Sequence, residues 1–102
     1  MEKLTNETFE KEISNGVVLV DFFATWCGPC KMLTPIIEQA TTEIGDKAKI
    51  FKADVDEVEA IARKLGIMSV PTMILFKNGQ EVNKLVGLRT KTQIIEAINQ
   101  VL

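Results

Sequence analysis

Trp26-Cys27-Gly28-Pro29-Cys30 contains both cysteines and the only tryptophan of the 102-residue chain. Before it, Val17 to Ala24 is apolar except for Asp21. After it, Leu33, Ile36, Ile37, Ala40 and Ile44 recur at helical spacing. The two thiols therefore sit where a buried strand gives way to a helix. A helix N-terminus favours negative charge, because its first backbone N–H groups lack partners and the helix dipole is positive there. Cys27 would occupy that end, with Lys31 adding a nearby positive charge. Both effects pull a thiol below its ordinary pKa of about 8.5 and toward the thiolate that attacks disulfides. Cys30 follows three residues later on the same helical face. There, Cβ atoms roughly 5–6 Å apart need only small adjustment to reach disulfide spacing of about 3.5–4.5 Å. Pro29 fits the first helical turn, where its missing N–H costs nothing, and Gly28 leaves room for a bulky disulfide to approach.

Thiol–disulfide exchange is the chemistry this spacing points to. Two other readings apply to the same residues. A zinc site would need more ligands than C-x-x-C supplies, and the chain has no histidine and no further cysteine. Carboxylates or a second chain would have to complete it, so no metal is expected. A static structural disulfide would close a very short loop, where stabilisation is small.

Composition narrows the class. The length is that of one domain, residues 1–102, large enough to bury a core unaided. Twelve basic and 14 acidic residues give a net charge of −2, unlike the basic balance usual for nucleic-acid binding. No apolar run approaches the roughly 20 residues of a membrane span. The polar start, Met1 to Glu7, lacks the pattern of a signal peptide. These features point to the cytoplasm, where C-x-x-C is more often catalytic than structural.

Along the chain, Thr5 or Asn6 can cap a helix reaching about Ser14, with Phe9 and Ile13 inward and Asn15-Gly16 ending it. Val17 to Ala24 is a central strand by its continuous apolar character. The helix after the cysteines closes at Gly45, and Pro35 inside it predicts a kink. Ala48 to Val55 is a second strand, and Val58, Ile61, Ala62 and Leu65 mark a helix ended by Gly66. Thr72 to Lys77 and Glu81 to Val86 flank Asn78-Gly79, a strong hairpin signal. Thr90 with Gln93 forms a capping box before a helix bearing Ile94, Ile95, Ile98, Val101 and Leu102. The order predicts an α/β fold. Its central mixed sheet has a parallel inner part and a C-terminal antiparallel hairpin at the edge, with helices on both faces.

Two charged residues stand out in the strands. Asp21 either turns to solvent or is buried, in which case its pKa rises toward that of a general base. Lys52 either extends its ammonium to water or partners Asp21. Pro71 is tolerated at a strand's first residue as a trans proline, and only about 5–6% of X-Pro bonds are cis.

Four segments carry a resemblance: Val20-Asp21-Phe22-Phe23-Ala24, Trp26-Cys27-Gly28-Pro29-Cys30-Lys31, Val70-Pro71-Thr72 and Phe76-Lys77-Asn78-Gly79. Together they resemble the thioredoxin family, in order and across essentially the whole chain. The resemblance implies that Cys27 is the nucleophile and Cys30 the resolving thiol of a protein-disulfide reductase. It implies that Asp21 assists Cys30, that Lys52 stands beside Asp21, and that Pro71 is cis. Trp26, Gly28, Pro29, Val70, Pro71 and Gly87 would form the docking surface for disulfide-containing target proteins. It further implies a monomer with no bound cofactor, no nucleic-acid or membrane partner, and re-reduction by an NADPH-dependent flavoprotein, thioredoxin reductase. The chain departs from common family variants at Phe23, Thr25 and Met68-Ser69. A disulfide oxidant or isomerase, or an interaction module with incidental thiols, are the rival readings.

Overall fold

The computed structural model describes all 102 residues, Met1–Leu102. Its five strands form one mixed sheet in the order β1-β3-β2-β4-β5. The centre is β2, Val17–Phe23, whose residues are buried up to the half-buried Phe23. Such a strand needs cover on both faces, and both are covered. On one face, α2 (Gly28–Ile44) and α4 (Lys91–Asn99) pack Leu33, Ile37, Ala40, Ile44, Ile94 and Ile98 against Leu19, Ile50, Met73 and Leu75. On the other, α1 (Phe9–Ile13) and α3 (Glu59–Lys64) lie over Val18, Val20, Phe22, Ile74 and Phe76.

Helix length decides strand direction. α2 has 17 residues and rises about 26 Å. That is enough to recross the sheet, so β3 (Lys49–Asp54) starts level with β2 and runs parallel to it, Val18 opposite Lys49 and Phe23 opposite Asp54. α3 has six residues and rises only about 9 Å. The chain thus enters β4 (Thr72–Lys77) at the carboxyl end of β2, and β4 runs antiparallel to β2, with Phe22 opposite Thr72. The antiparallel part of the sheet therefore begins at the β2–β4 pair and not only inside the hairpin, correcting the expected parallel inner sheet.

The hairpin itself forms as expected. Asn78 and Gly79 both have positive φ, 51° and 87°, the condition for a type I′ turn joining β4 to β5 (Gln80–Val86). A register shift follows between Leu75 and Phe76. The Asn78 side chain also accepts from the Gly16 N–H at 2.9 Å, tying the hairpin to the turn before β2. Thr90 and Gln93 make the reciprocal capping box of α4. Ala97 joins Ile94 and Ile98 in the core, whereas Leu102 lies beyond the helix and is exposed.

Two differences from the sequence expectations concern short elements. α1 is only five residues long; Thr5 and Thr8 instead exchange side-chain and backbone hydrogen bonds across the turn before it. A two-residue strand β1 (Glu2–Lys3) pairs parallel to β3, and its polar residues gave no periodicity to read. Pro35 has no N–H to bond the Lys31 carbonyl, and α2 continues through it to Ile44.

Candidate active site

Cys27 and Cys30 are joined by a disulfide, with Cα atoms 5.3 Å apart. Cys27 is the N-cap of α2: its sulfur accepts from the Cys30 N–H at 3.2 Å. The sulfur thus takes the place of the oxygen of an ordinary capping side chain. A thiolate there would gain the same hydrogen bond and the positive end of a 17-residue helix. Cys27 Sγ also lies 3.7 Å from the carbonyl oxygen of Val70. Both cysteines are buried, while Gly28 and Pro29 beside them are exposed.

The Val70–Pro71 bond is cis. The antiparallel direction of β4 brings this dipeptide to the carboxyl end of β2, where Cys27 sits. Gly87, at φ +88°, donates its N–H to the Pro71 carbonyl at 2.9 Å, completing the same surface from the end of β5. Trp26 is 70% exposed, and its Nε1–H donates to Asp56 at 3.1 Å. Asp56 is in turn held by its backbone N–H bonding the Asp54 carboxylate at 2.9 Å. Sequence reading missed Asp56. Asp54-Val55-Asp56 after a strand signals a turn, but no spacing rule connects it to a tryptophan thirty positions earlier.

Asp21 lies in β2, two residues before its end at Phe23. Alternation along β2 puts its side chain on the α2 face, with Leu19 and Phe23 and on the side of Cys30. It is buried, and its Oδ1 has no hydrogen-bond partner in the protein. Burial pushes its pKa up from 3.8 to about 7, and the charge of Lys52 pulls the other way. Lys52 is opposite Asp21 in the β2–β3 register, half-buried, with its ammonium 5.7 Å from the Phe23 ring centre. Asp21 thus takes the buried alternative; Lys52 forms no ion pair with it and acts on it as a nearby charge. A cleft of about 250 Å³, lined by Phe23, Thr25, Cys30, Lys31 and Thr34 among others, opens onto Cys30. The cysteines, Trp26, Val70, Pro71 and Gly87 lie around the carboxyl end of β2, with Asp21 and Lys52 two residues inside the ends of β2 and β3. No group of three or more histidine, cysteine, aspartate or glutamate side chains is arranged to hold a metal.

Two sulfurs that can be linked or parted at a helix N-terminus, with a buried carboxyl group of raised pKa on the same face of the sheet, define the class of dithiol–disulfide exchangers. Comparison with known proteins narrows the class. The thioredoxin family profile matches residues 1–100. Thioredoxin from Bacillus subtilis is 48% identical over 98 residues, covering 96% of this chain and 94% of that protein. Thioredoxin from Staphylococcus aureus is 46% identical over the same shares. Among solved structures, oxidised mitochondrial thioredoxin 3 from Saccharomyces cerevisiae superposes with a TM-score of 0.89 at 36% identity, covering 98% of this chain and 94% of that one. The chain belongs to the thioredoxin family. It is a thiol–disulfide oxidoreductase of the protein-disulfide reductase kind, working through the Cys27/Cys30 couple.

Proposed function

We propose that Cys27 is the attacking and Cys30 the resolving sulfur of a general electron donor to disulfide-bonded proteins. The observation that carries this order is the N-cap hydrogen bond, which stabilises negative charge on Cys27 and not on Cys30. The Cys27 thiolate attacks one sulfur of the target disulfide, and the other target sulfur leaves as a thiolate and takes a proton. Cys30 then gives its proton to Asp21 and attacks Cys27 in the mixed disulfide. The second target sulfur leaves, two electrons have passed to the target, and the Cys27–Cys30 disulfide remains. Lys52 moderates the charge that Asp21 carries. Trp26, Gly28, Pro29, Val70, Pro71 and Gly87 receive the target segment around its disulfide.

On this reading the cycle closes through a flavoprotein thioredoxin reductase drawing on NADPH, and the protein itself binds no cofactor and acts as a monomer. Such a donor works where thiols are kept reduced, which places it in the cytoplasm. No helix is long and apolar enough to cross a membrane.

Two measurements test the proposal. Cys30→Ser is expected to accumulate a covalent target adduct on non-reducing gels, and Cys27→Ser to lose exchange altogether; turnover surviving in Cys27→Ser refutes the order. Equilibration against glutathione, read by Trp26 fluorescence, is expected to give a potential near about −270 mV, the value characteristic of thioredoxins. A potential between about −180 and −120 mV would make the protein an oxidant or isomerase.

A further inference from the structure

Met68 is 96% exposed, more than any other large apolar side chain of the protein. It belongs to none of the three buried clusters. The fold therefore gains nothing from its apolar character, and exposure of that surface is unfavourable. Its position is informative. Met68 forms one wall of a cleft of about 190 Å³ with Trp26, Val55, Ile67 and Val70, in which Ser69 is the only polar lining residue. Val70 touches Cys27 Sγ through its carbonyl, and Trp26 precedes Cys27 in the chain. A methionine is flexible and polarisable, suited to packing against varied apolar side chains. It is also oxidisable, and this one is open to solvent.

We propose that Met68 is a peroxide-sensitive wall of the docking cleft, whose oxidation to the sulfoxide weakens binding of protein disulfides while leaving the thiol chemistry intact. The inference rests on reading this face as the target-docking surface. In the reaction one oxygen of hydrogen peroxide passes to the thioether sulfur. The sulfur gives up two electrons, the O–O bond breaks, and water leaves. Access orders the methionines: Met68 at 96%, Met32 at 60%, Met1 at 40% and Met73 at 0%. With Cys27 and Cys30 in their disulfide, the protein carries no thiolate to compete for the oxidant. The product is polar. A target closing the cleft over it would bury an S=O group among Trp26, Val55 and Val70 with little to hydrogen-bond it. The change is reversible by enzymes that reduce methionine sulfoxide.

The test treats the disulfide form with hydrogen peroxide, removes the oxidant with catalase, and locates the added oxygen by peptide mass spectrometry. The protein is then assayed with dithiothreitol as electron source, which leaves the sulfoxide in place. Insulin serves as the protein disulfide, and a small aromatic disulfide too short to fill the cleft serves as the second substrate. Oxygen is expected at Met68 ahead of Met32. The apparent KM for insulin is expected to rise roughly ten-fold, the scale of losing one buried apolar side chain. The rate with the small disulfide stays as it was. Each variant is compared with its own untreated sample: Met68→Leu shows no rise in KM on treatment, and Met32→Leu responds as the wild type does. An unchanged KM in protein carrying the Met68 sulfoxide overturns the proposal. So does Met68→Leu responding like the wild type, or slower oxidation of Met68 than of Met32. Untreated protein that fails to reduce insulin would refute the reductase reading instead.

Discussion

Asp21 is the residue where stability and chemistry meet. Its pKa of about 7 in the folded protein lies above the 3.8 of an exposed aspartate, mainly because burial penalises the charge. Between those two values the folded state holds a proton that the unfolded chain has released. Stability therefore falls as pH rises from about 4 to about 7 and is level above that. Asp21→Asn keeps the shape and removes the charge. Urea unfolding of the disulfide form is expected to show the variant more stable at pH 8, by up to about 4 kcal/mol, and nearly equal to wild type at pH 4. Parallel pH profiles for the two proteins would mean that Asp21 does not titrate in this range. The same substitution is expected to slow resolution of the mixed disulfide by roughly ten-fold or more, with less effect on the first attack, because only Cys30 uses this base. Stopped-flow kinetics separates the two steps, and equal slowing counts against the assignment. The anomaly of an aspartate in an apolar strand was visible in the sequence. Its burial was favoured there too, by the flanking Val20 and Phe22; its register opposite Lys52 and its unpartnered Oδ1 were not legible, since each depends on a neighbouring strand or helix.

The long elements were legible and the short ones were not. β4 spans Thr72–Lys77, the apolar run Met73–Phe76 with one polar residue at each end, and the buried face of α2 follows its 3.6-residue pattern. The capping box of α4 needed only Thr90 and Gln93, three positions apart, and both of its hydrogen bonds form, at 3.1 and 3.0 Å. Thr90→Ala is expected to destabilise the protein by about 1 kcal/mol in urea unfolding and to leave exchange rates unchanged. A loss below about 0.3 kcal/mol would mean that packing of Ile94 and Ile98 alone fixes the start of α4. In α1, by contrast, five residues give little helical stability of their own, and tertiary contacts decide how far the helix extends. β1 exists only because β3 offers it a free edge.

At the scale of the molecule, a single sheet separates two cores, and each helix pair closes one of them. α1 is fastened chiefly by Phe9, whose ring stands edge-on to Phe76 at 5.7 Å and tilted to Phe22 at 6.1 Å. Phe9→Ala is expected to cost about 3–5 kcal/mol and to free the amides of residues 9–13 to exchange with deuterium. A much smaller loss would show that Ile13 suffices to hold the helix. Because α1 lies on the face opposite Asp21 and α2, the reduction potential of the Cys27/Cys30 couple is expected to stay as it is in this variant.

What the sequence determined by itself is local: the spacing of the two thiols, the helix whose first turn they share, the hairpin at Asn78-Gly79 and the cap at Thr90. Each depends on residues a few positions apart, so covalent geometry and backbone hydrogen bonding suffice to specify it. Tertiary structure alone decided the direction of β4. α3 is too short to carry the chain back across the sheet, so β4 starts beside the end of β2 and delivers Val70 to Cys27. It also joined Asp56 to Trp26 and left Met68 in water at the rim of the cleft. Those meetings span tens of residues and depend on helix lengths and on which face of a strand is covered, quantities that no single stretch of sequence contains.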